Sequence, residues 1–250
     1  MCGQDKLIDL FVYDNSPKSK QPGQYHGLEI TYFHDPENSG VSKAYNTGAE
    51  HALRLNKKWV LLLDQDTTLP CTILEDYERA ILQNPEIQLF VPVLHLKNGK
   101  IFSPCTYRFK RGFYLDRIVP GVHSFDRLSP VNSGIMVNLN AFQEAGGYNE
   151  KVKLDFSDFQ FTERFSKVYP IFYLLDVKCQ QDFSDDDVSF SSQLTRFRFF
   201  CEGAREMGRE GIWDWFQYNM VVLLRALKLA LRYKKWNFIA IYINKFLKAT

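Results

Sequence analysis

Trp59-Val60-Leu61-Leu62-Leu63-Asp64-Gln65-Asp66-Thr67 decides how the chain is read. The apolar run from Trp59 to Leu63 is too continuous for a half-solvated strand, whose side chains alternate between core and water. It predicts a short strand buried on both faces, as in sheets covered by helices on either side. The run stops at two carboxylates one residue apart, at the carboxyl end of the strand, where ligands gather in open α/β sheets. Asp64 and Asp66 offer hard oxygen donors that suit Mg²⁺ or Mn²⁺ when substrate phosphates complete the shell. An isolated D-x-D pair also fits two solvated acids in a turn. Its place directly behind an apolar run favours the ligand-facing reading.

Working outward, residues 7–13 (LIDLFVY) and 28–33 (LEITYF) read as strands rich in β-branched and aromatic residues. Residues 38–56 carry helical spacing at Val41, Ala44, Ala52 and Leu55. A helix over 72–82, strands over 87–93 and 134–139, and a helix from Ser157 to about Lys167 continue the alternation. The last is signalled by a capping box, Ser157 with Gln160 three residues on. Strand–helix alternation predicts an α/β fold, a mixed and mostly parallel sheet flanked by helices, over residues 1–190. From about 191 to 250 the strand signals stop, and Phe216, Met220, Leu223, Leu224, Leu227 and Leu231 recur at helical spacing.

Composition narrows the function classes. With 250 residues, 45% hydrophobic and 15% aromatic, the chain has the apolar mass to fold, which excludes a disordered or low-complexity protein. No run of roughly 18 uncharged apolar residues marks a transmembrane helix. Asp5, Lys6 and Asp9 interrupt any signal-peptide core. A cytoplasmic chain is expected. Its five cysteines, Cys2, Cys71, Cys105, Cys179 and Cys201, form no C-x-x-C pair and read as reduced, mostly buried thiols. The net charge of +2 hides an asymmetry: residues 211–250 hold seven basic side chains against Asp214 alone. Basic residues interleaved with Trp213, Trp215, Tyr233 and Trp236 on amphipathic helices suggest peripheral contact with an anionic membrane surface. No basic stripe lies over the α/β part, so a nucleic-acid partner is not expected.

The ordered motifs resemble glycosyltransferase family 2, and most closely its rhamnosyltransferase-like members. They run Asp14-Asn15-Ser16, Asn38-x-Gly40, Asn46-x-Gly48, Asp64-Gln65-Asp66-Thr67, Asn132-Ser133-Gly134, Ala145-Gly146-Gly147-Tyr148-Asn149-Glu150 and Leu154-Asp155-Phe156-Ser157-Asp158. The resemblance implies a GT-A fold and an inverting transfer from a nucleoside-diphosphate sugar, dTDP-rhamnose or a UDP-sugar. The acceptor would be a hydroxyl of a growing surface polysaccharide or lipid-linked glycan, approached from the inner face of the cytoplasmic membrane. It implies that Asp14 and Asn15 meet the nucleoside and that Lys43 approaches a phosphate. Asp64, Asn132, Ser133, Gly134 and Asp155 would line the substrate site. Asp64 and Asp66 would hold Mn²⁺ or Mg²⁺, with Asp182 standing where the family often has a histidine. Asp158 would be the general base, Asp155 its rival.

The family's first strand and helix, which precede the Asp14 strand, have no counterpart here. An inactive descendant serving as a binding or scaffold protein is therefore an alternative. A haloacid dehalogenase-type phosphohydrolase is another, with Asp64 as nucleophile, Asp66 as acid/base and Asp185–Asp187 as its later metal motif.

Overall fold

The computed structural model describes residues 7–182, 189–208 and 211–248. Strands and helices alternate at first: β1 (Ile8–Asp14), β2 (Leu28–His34), α1 (Val41–Arg54), β3 (Trp59–Leu62), β4 (Thr67–Thr68), α2 (Ile73–Gln83) and β5 (Leu89–His95). Three further strands follow, β6 (Ile101–Arg108), β7 (Arg111–Leu115) and β8 (Gly121–Ser124). Then come β9 (Ile135–Asn138), α3 (Leu139–Glu144), α4 (Ser157–Phe165) and β10 (Ile171–Gln181). The rest is helical: α5 (Phe190–Glu206), α6 (Ile212–Tyr233), α7 (Asn237–Ile241) and a π-helical turn, Tyr242–Leu247.

The result is the expected α/β architecture, a mixed sheet flanked by helices. Its main path runs β3-β9-β5-β10-β4, with the β6–β7 hairpin hung on β5 and β8 on β10. The two longest ladders, β1–β2 and β5–β10, are parallel. Shorter antiparallel ladders extend the sheet at β3–β9, β5–β9, β5–β6, β6–β7, β8–β10 and β4–β10. β1 and β2 pair only with each other among the described residues, forming a separate two-stranded sheet. α1 packs on both β1 and β3, and Lys57 pairs with Asp9 across the gap.

One expectation is corrected here. β3 packs on both faces but only partly, Val60 and Leu62 against one core and Trp59 and Leu61 against the other: it is the edge strand of its sheet, partnered by β9, so Leu62 alone is fully buried and Leu63 is exposed. The strand fully buried on both faces is β5. Its Leu89, Val91 and Val93 pack with α1, α3 and α4 residues such as Tyr45, Phe142 and Phe161. Its Phe90 and Leu94 pack on the other face with Tyr77 of α2. The helices after β10 build a further core around Phe197, Cys201, Tyr218, Val222 and Phe238, to which Val152 and Phe156 contribute from the α/β part. Cys105, Cys179 and Cys201 are buried free thiols and Cys71 is an exposed one.

Candidate active site

Adjacent residues of one loop pin two acids that lie far apart in sequence. The Ser133 hydroxyl accepts the Asp64 N–H at 3.0 Å, while the Asn132 N–H donates to Asp158 Oδ1 at 3.0 Å. Asn132 is itself held at both ends of its amide, its Nδ2 donating to Ser157 Oγ at 3.0 Å and its Oδ1 accepting from Tyr148 Oη at 2.8 Å. Ser133 Oγ also bonds Thr67 Oγ1, which donates to Gln181 Oε1 at 2.6 Å. The loop can enter β9 this tightly because Gly134 sits at φ +82°, where a Cβ would lie 2.7 Å from Pro92 Cγ. Tyr77 from α2 donates to the Gly134 carbonyl at 2.5 Å and closes the corner.

The tip after β3 is shaped from the other side by α1. The Tyr45 hydroxyl donates to Asp64 Oδ1, and its ring lies 5.2 Å from that of Tyr148. Asn46 staples the Gly147–Glu150 turn, accepting the Tyr148 N–H at 2.9 Å and donating to the Tyr148 carbonyl at 3.0 Å and Glu150 Oε1 at 3.1 Å. α1 starts at Gly40, where φ is +102° and a Cβ would lie 2.3 Å from the Lys153 carbonyl oxygen. No side chain fits there. The Asn-x-Gly motifs thus lock α1 against the 147–153 loop.

The electrostatics follow from burial. Removal from water pushes Asp64 up from the carboxylate range, and the Asp66 charge adds to this, while the Tyr45 hydrogen bond opposes it. Burial first, and the Asp64 charge second, raise Asp158 from the usual 3.8 to about 7. Two carboxylates that share a water-poor site cannot both ionise cheaply. At the end of β1 the balance is opposite. Asp14 accepts from Ser16 N at 2.8 Å, Tyr32 Oη at 2.5 Å and Lys20 N at 3.2 Å, and these donors hold it well below the usual carboxylate range. Asp14 is therefore a permanently charged acceptor, organised by the 15–20 turn.

Of the residues expected at the site, Asp64, Asn132, Ser133, Gly134 and Asp158 come together. Asp66 follows Asp64 with its Oδ1 buried and without a hydrogen-bond partner among the described residues. Asp182 is tied to that turn through its backbone N–H, which donates to the Asp66 carbonyl at 2.9 Å, but its carboxylate pairs with Lys97 at 3.3 Å. Asn15 Oδ1, beside Asp14, is a second buried oxygen with no partner among the described residues. Asp155 is claimed by the C-terminal helices: Arg225 of α6 holds it at 3.2 Å and Arg196 of α5 lies 4.0 Å off, while its charge adds a small upward push on Asp158. Lys43 is exposed on α1, about 200° around the helix from Tyr45, which faces the acids. Asp185–Asp187 lies outside the described residues.

The capping box at Ser157 does not form, a second correction. α4 is entered through Phe156 at φ +73°, while Ser157 accepts from Asn132 and Gln160 Oε1 accepts the Asn149 N–H at 2.8 Å. Both side chains are spent on the site loops instead of the helix end. Tyr45, Asn46 and Tyr148 are the site residues that motif reading passes over as chemistry. Val41, Tyr45 and Ala49, four apart, are the signal that marks Tyr45 as inward-facing.

The carboxylates also bear on metal binding. Among the described residues no three His, Cys, Asp or Glu side chains gather to enclose a metal ion. The unpartnered Asp66 Oδ1 beside Asp64 nevertheless suits a hard cation that takes one or two carboxylates and completes its shell with phosphate oxygens.

Residues 4–124, just under half of the chain, match the family model for glycosyl transferase family 2. That stretch includes Asp14, Gly40, Asp64 and Asp66 and ends before the loop that holds Asp158. No curated protein sequence matches. Among solved structures, the chain is similar to S. aureus TarS, at 12% identity and a TM-score of 0.46 over 80% of this chain and 33% of that one. A TarS 1–349 structure is similar at 13% identity and a TM-score of 0.44, over 90% and 59%. TarS 1–349 in complex with UDP gives 14% and 0.41, over 75% and 52%. The chain thus spans a third to three-fifths of these relatives, and likeness at this level carries no argument about function. Residues 4–124 carry the sequence pattern of glycosyl transferase family 2.

Proposed function

We propose that the chain is a nucleotide-sugar glycosyltransferase of family 2 that transfers with inversion and uses Asp158 as general base. The observation that carries this reading is the Asn132–Ser133 loop, which holds Asp158 and Asp64 on adjacent residues. An acceptor hydroxyl attacks the anomeric carbon, the bond from that carbon to the diphosphate oxygen breaks, and the nucleoside diphosphate leaves with the electron pair. The hydroxyl proton passes to the Asp158 carboxylate. An ordinary Asp is a weak base for an alcohol, and a pKa near 7 brings it closer to the working range.

Asp66, with Asp64 beside it, would hold Mn²⁺ or Mg²⁺. The ion would neutralise charge on the departing diphosphate. Tyr45 and Ser133 keep Asp64 oriented without consuming Asp66, and Asp14 and Asn15 present charged and neutral oxygens toward a ribose or base. By resemblance of Asp64-Gln65-Asp66-Thr67 the donor is dTDP-rhamnose, with a UDP-sugar as competitor. The acceptor is a glycan or a lipid-linked glycan.

Calorimetric titration of dTDP, UDP and GDP, with and without Mn²⁺, tests this on the wild type and on Asp66→Ala. Metal-dependent binding of one nucleotide, lost in the variant, is the expected result and identifies the donor base. A second reading, a non-catalytic descendant, draws on the separation of β1–β2, which leaves Asp14 on a sheet that shares no ladder with β3. A folded chain that binds none of the three nucleotides would decide for it.

A further inference from the structure

α6 is apolar on both sides. Its inward face, Tyr218, Val222, Ala226 and Leu229, is buried in the helical core. The opposite face should be polar in a helix that borders water. It is not. Trp213, Phe216, Met220, Leu224, Leu227 and Leu231 recur at three- and four-residue steps, and all are exposed, Trp213 at 65%, Leu224 at 52% and Leu231 at 78%. At 1.5 Å per residue the stripe runs about 27 Å along the helix.

The stripe continues sideways. Phe109 and Phe113 of the β6–β7 hairpin face Trp213 and Phe216 across a cleft of about 370 Å³, and Phe109 is 67% exposed. Trp236, just past the helix, is exposed as well. An apolar patch of this extent on a chain's surface marks an interaction site.

Charge selects the occupant. The exposed charged residues of α6 are Lys228 and Arg232, both basic. Lys234 and Lys235 follow the helix and Arg111 borders the cleft. The acid of this helix, Asp214, is paired with Lys110 at 3.3 Å. A self-complementary patch would be expected to carry both signs, whereas an apolar stripe with aromatic ends and only basic flanks matches anionic headgroups over acyl chains. No helix among the described residues is long and apolar enough to cross a bilayer. We propose that α6 and the β6–β7 tip form a platform that lies flat in the surface of an anionic lipid bilayer. The proposal does not depend on the reaction assigned above.

Vesicle co-sedimentation tests it, using phosphatidylcholine alone and phosphatidylcholine mixed with phosphatidylglycerol, at low and high salt. The full chain should bind the anionic vesicles, with a blue shift of tryptophan emission, and bind the neutral ones more weakly. Leu224→Gln/Leu231→Gln should lower partitioning on the order of tenfold or more. Lys228→Gln/Arg232→Gln should remove roughly thirtyfold of the anionic preference and flatten the salt dependence. These side chains are exposed, so circular dichroism should show both variants folded. If a variant does not fold, quenching of wild-type tryptophan emission by brominated lipid answers instead, since Trp213 must enter the acyl region. Equal partitioning of wild type and variants overturns the proposal. So does a stable dimer that the leucine variant converts to monomer, which would give the stripe to a second copy.

Discussion

Asp158→Asn should make the protein more stable at alkaline pH while abolishing sugar transfer. The native carboxyl keeps its proton up to about pH 7, whereas in the unfolded chain it ionises near 3.8. Between those values the native state binds more protons than the unfolded state, so stability falls as pH rises. The contribution is complete below pH 4 and lost once the pH passes 7. At about 1.36 kcal/mol for each pH step between 3.8 and about 7, the ceiling on what the wild type loses over this range is about 4 kcal/mol. The asparagine is isosteric and its Oδ1 can still accept the Asn132 N–H, so the loop keeps its anchor. With no group to titrate there, the variant should hold its stability where the wild type sheds it.

Urea unfolding of both proteins at intervals from pH 4.5 to 8.5 reads this directly. The difference between the two curves removes every titration they share. About 1 kcal/mol of the contribution is already lost at pH 4.5, and from there the difference should widen by roughly 2–4 kcal/mol in favour of the variant by pH 8.5. Part of that gain comes from relief of Asp64, which faces the same charge. Parallel curves would show that Asp158 ionises as an ordinary carboxylate, and the argument for a tuned base would fall with them. The rate should mirror the stability: kcat/KM of the wild type rises through a limb near pH 7 as the base loses its proton.

Other positions give sharper local tests. Tyr45→Phe removes the hydrogen bond that opposes the raised pKa of Asp64, so as pH is lowered in calorimetry the variant should lose nucleotide affinity in Mn²⁺ at a higher pH than the wild type. Gly40→Ala should destabilise by about 2–4 kcal/mol in urea unfolding, because φ is +102° and the new methyl meets the Lys153 carbonyl. Asn46→Ala, which strips three hydrogen bonds from the 147–150 turn, should cost about 2–3 kcal/mol by the same assay and weaken transfer more than nucleotide binding.

Much of this architecture is legible in the chain itself. The strands at 8–14 and 28–34, helix α1 and the acidic turn after β3 follow from local periodicity and from the abrupt end of an apolar run. What periodicity does not supply is partnership. Residues 59–63 and 89–95 read alike as apolar runs, yet one is a half-buried edge strand and the other is fully buried within the sheet, because that depends on which strands arrive from elsewhere. The same limit hides β6, β7, β8 and β10, whose polar and aromatic residues alternate too irregularly to stand out. At the site, the acids are found by type and spacing, but their ranking is a tertiary matter. Asp155 and Asp158 are three residues apart on one segment, and nothing local separates a base from an ion-pair anchor. What separates them in the structure is Arg225, seventy residues on, which pairs with Asp155 and not with Asp158.

That anchor ties the two halves of the molecule together at the point where chemistry is assigned. The Arg225 guanidinium grips Asp155 and lies 3.9 Å over the Phe200 ring, while Gly203 of α5 lets the helix approach the Asp155 carbonyl to a distance that a Cβ would reduce to 2.8 Å. Phe156 enters the helical core between these contacts, and its left-handed backbone turns the chain so that Ser157 and Asp158 face the Asn132 loop. Consecutive residues are therefore held by different cores: 155 and 156 by the helices, 157 and 158 by the α/β part. A segment built this way has little freedom to relax on its own. The same helix α6 that supplies Arg225 also carries the exposed apolar stripe, so one element joins the proposed lipid-binding platform to the segment that holds Asp158.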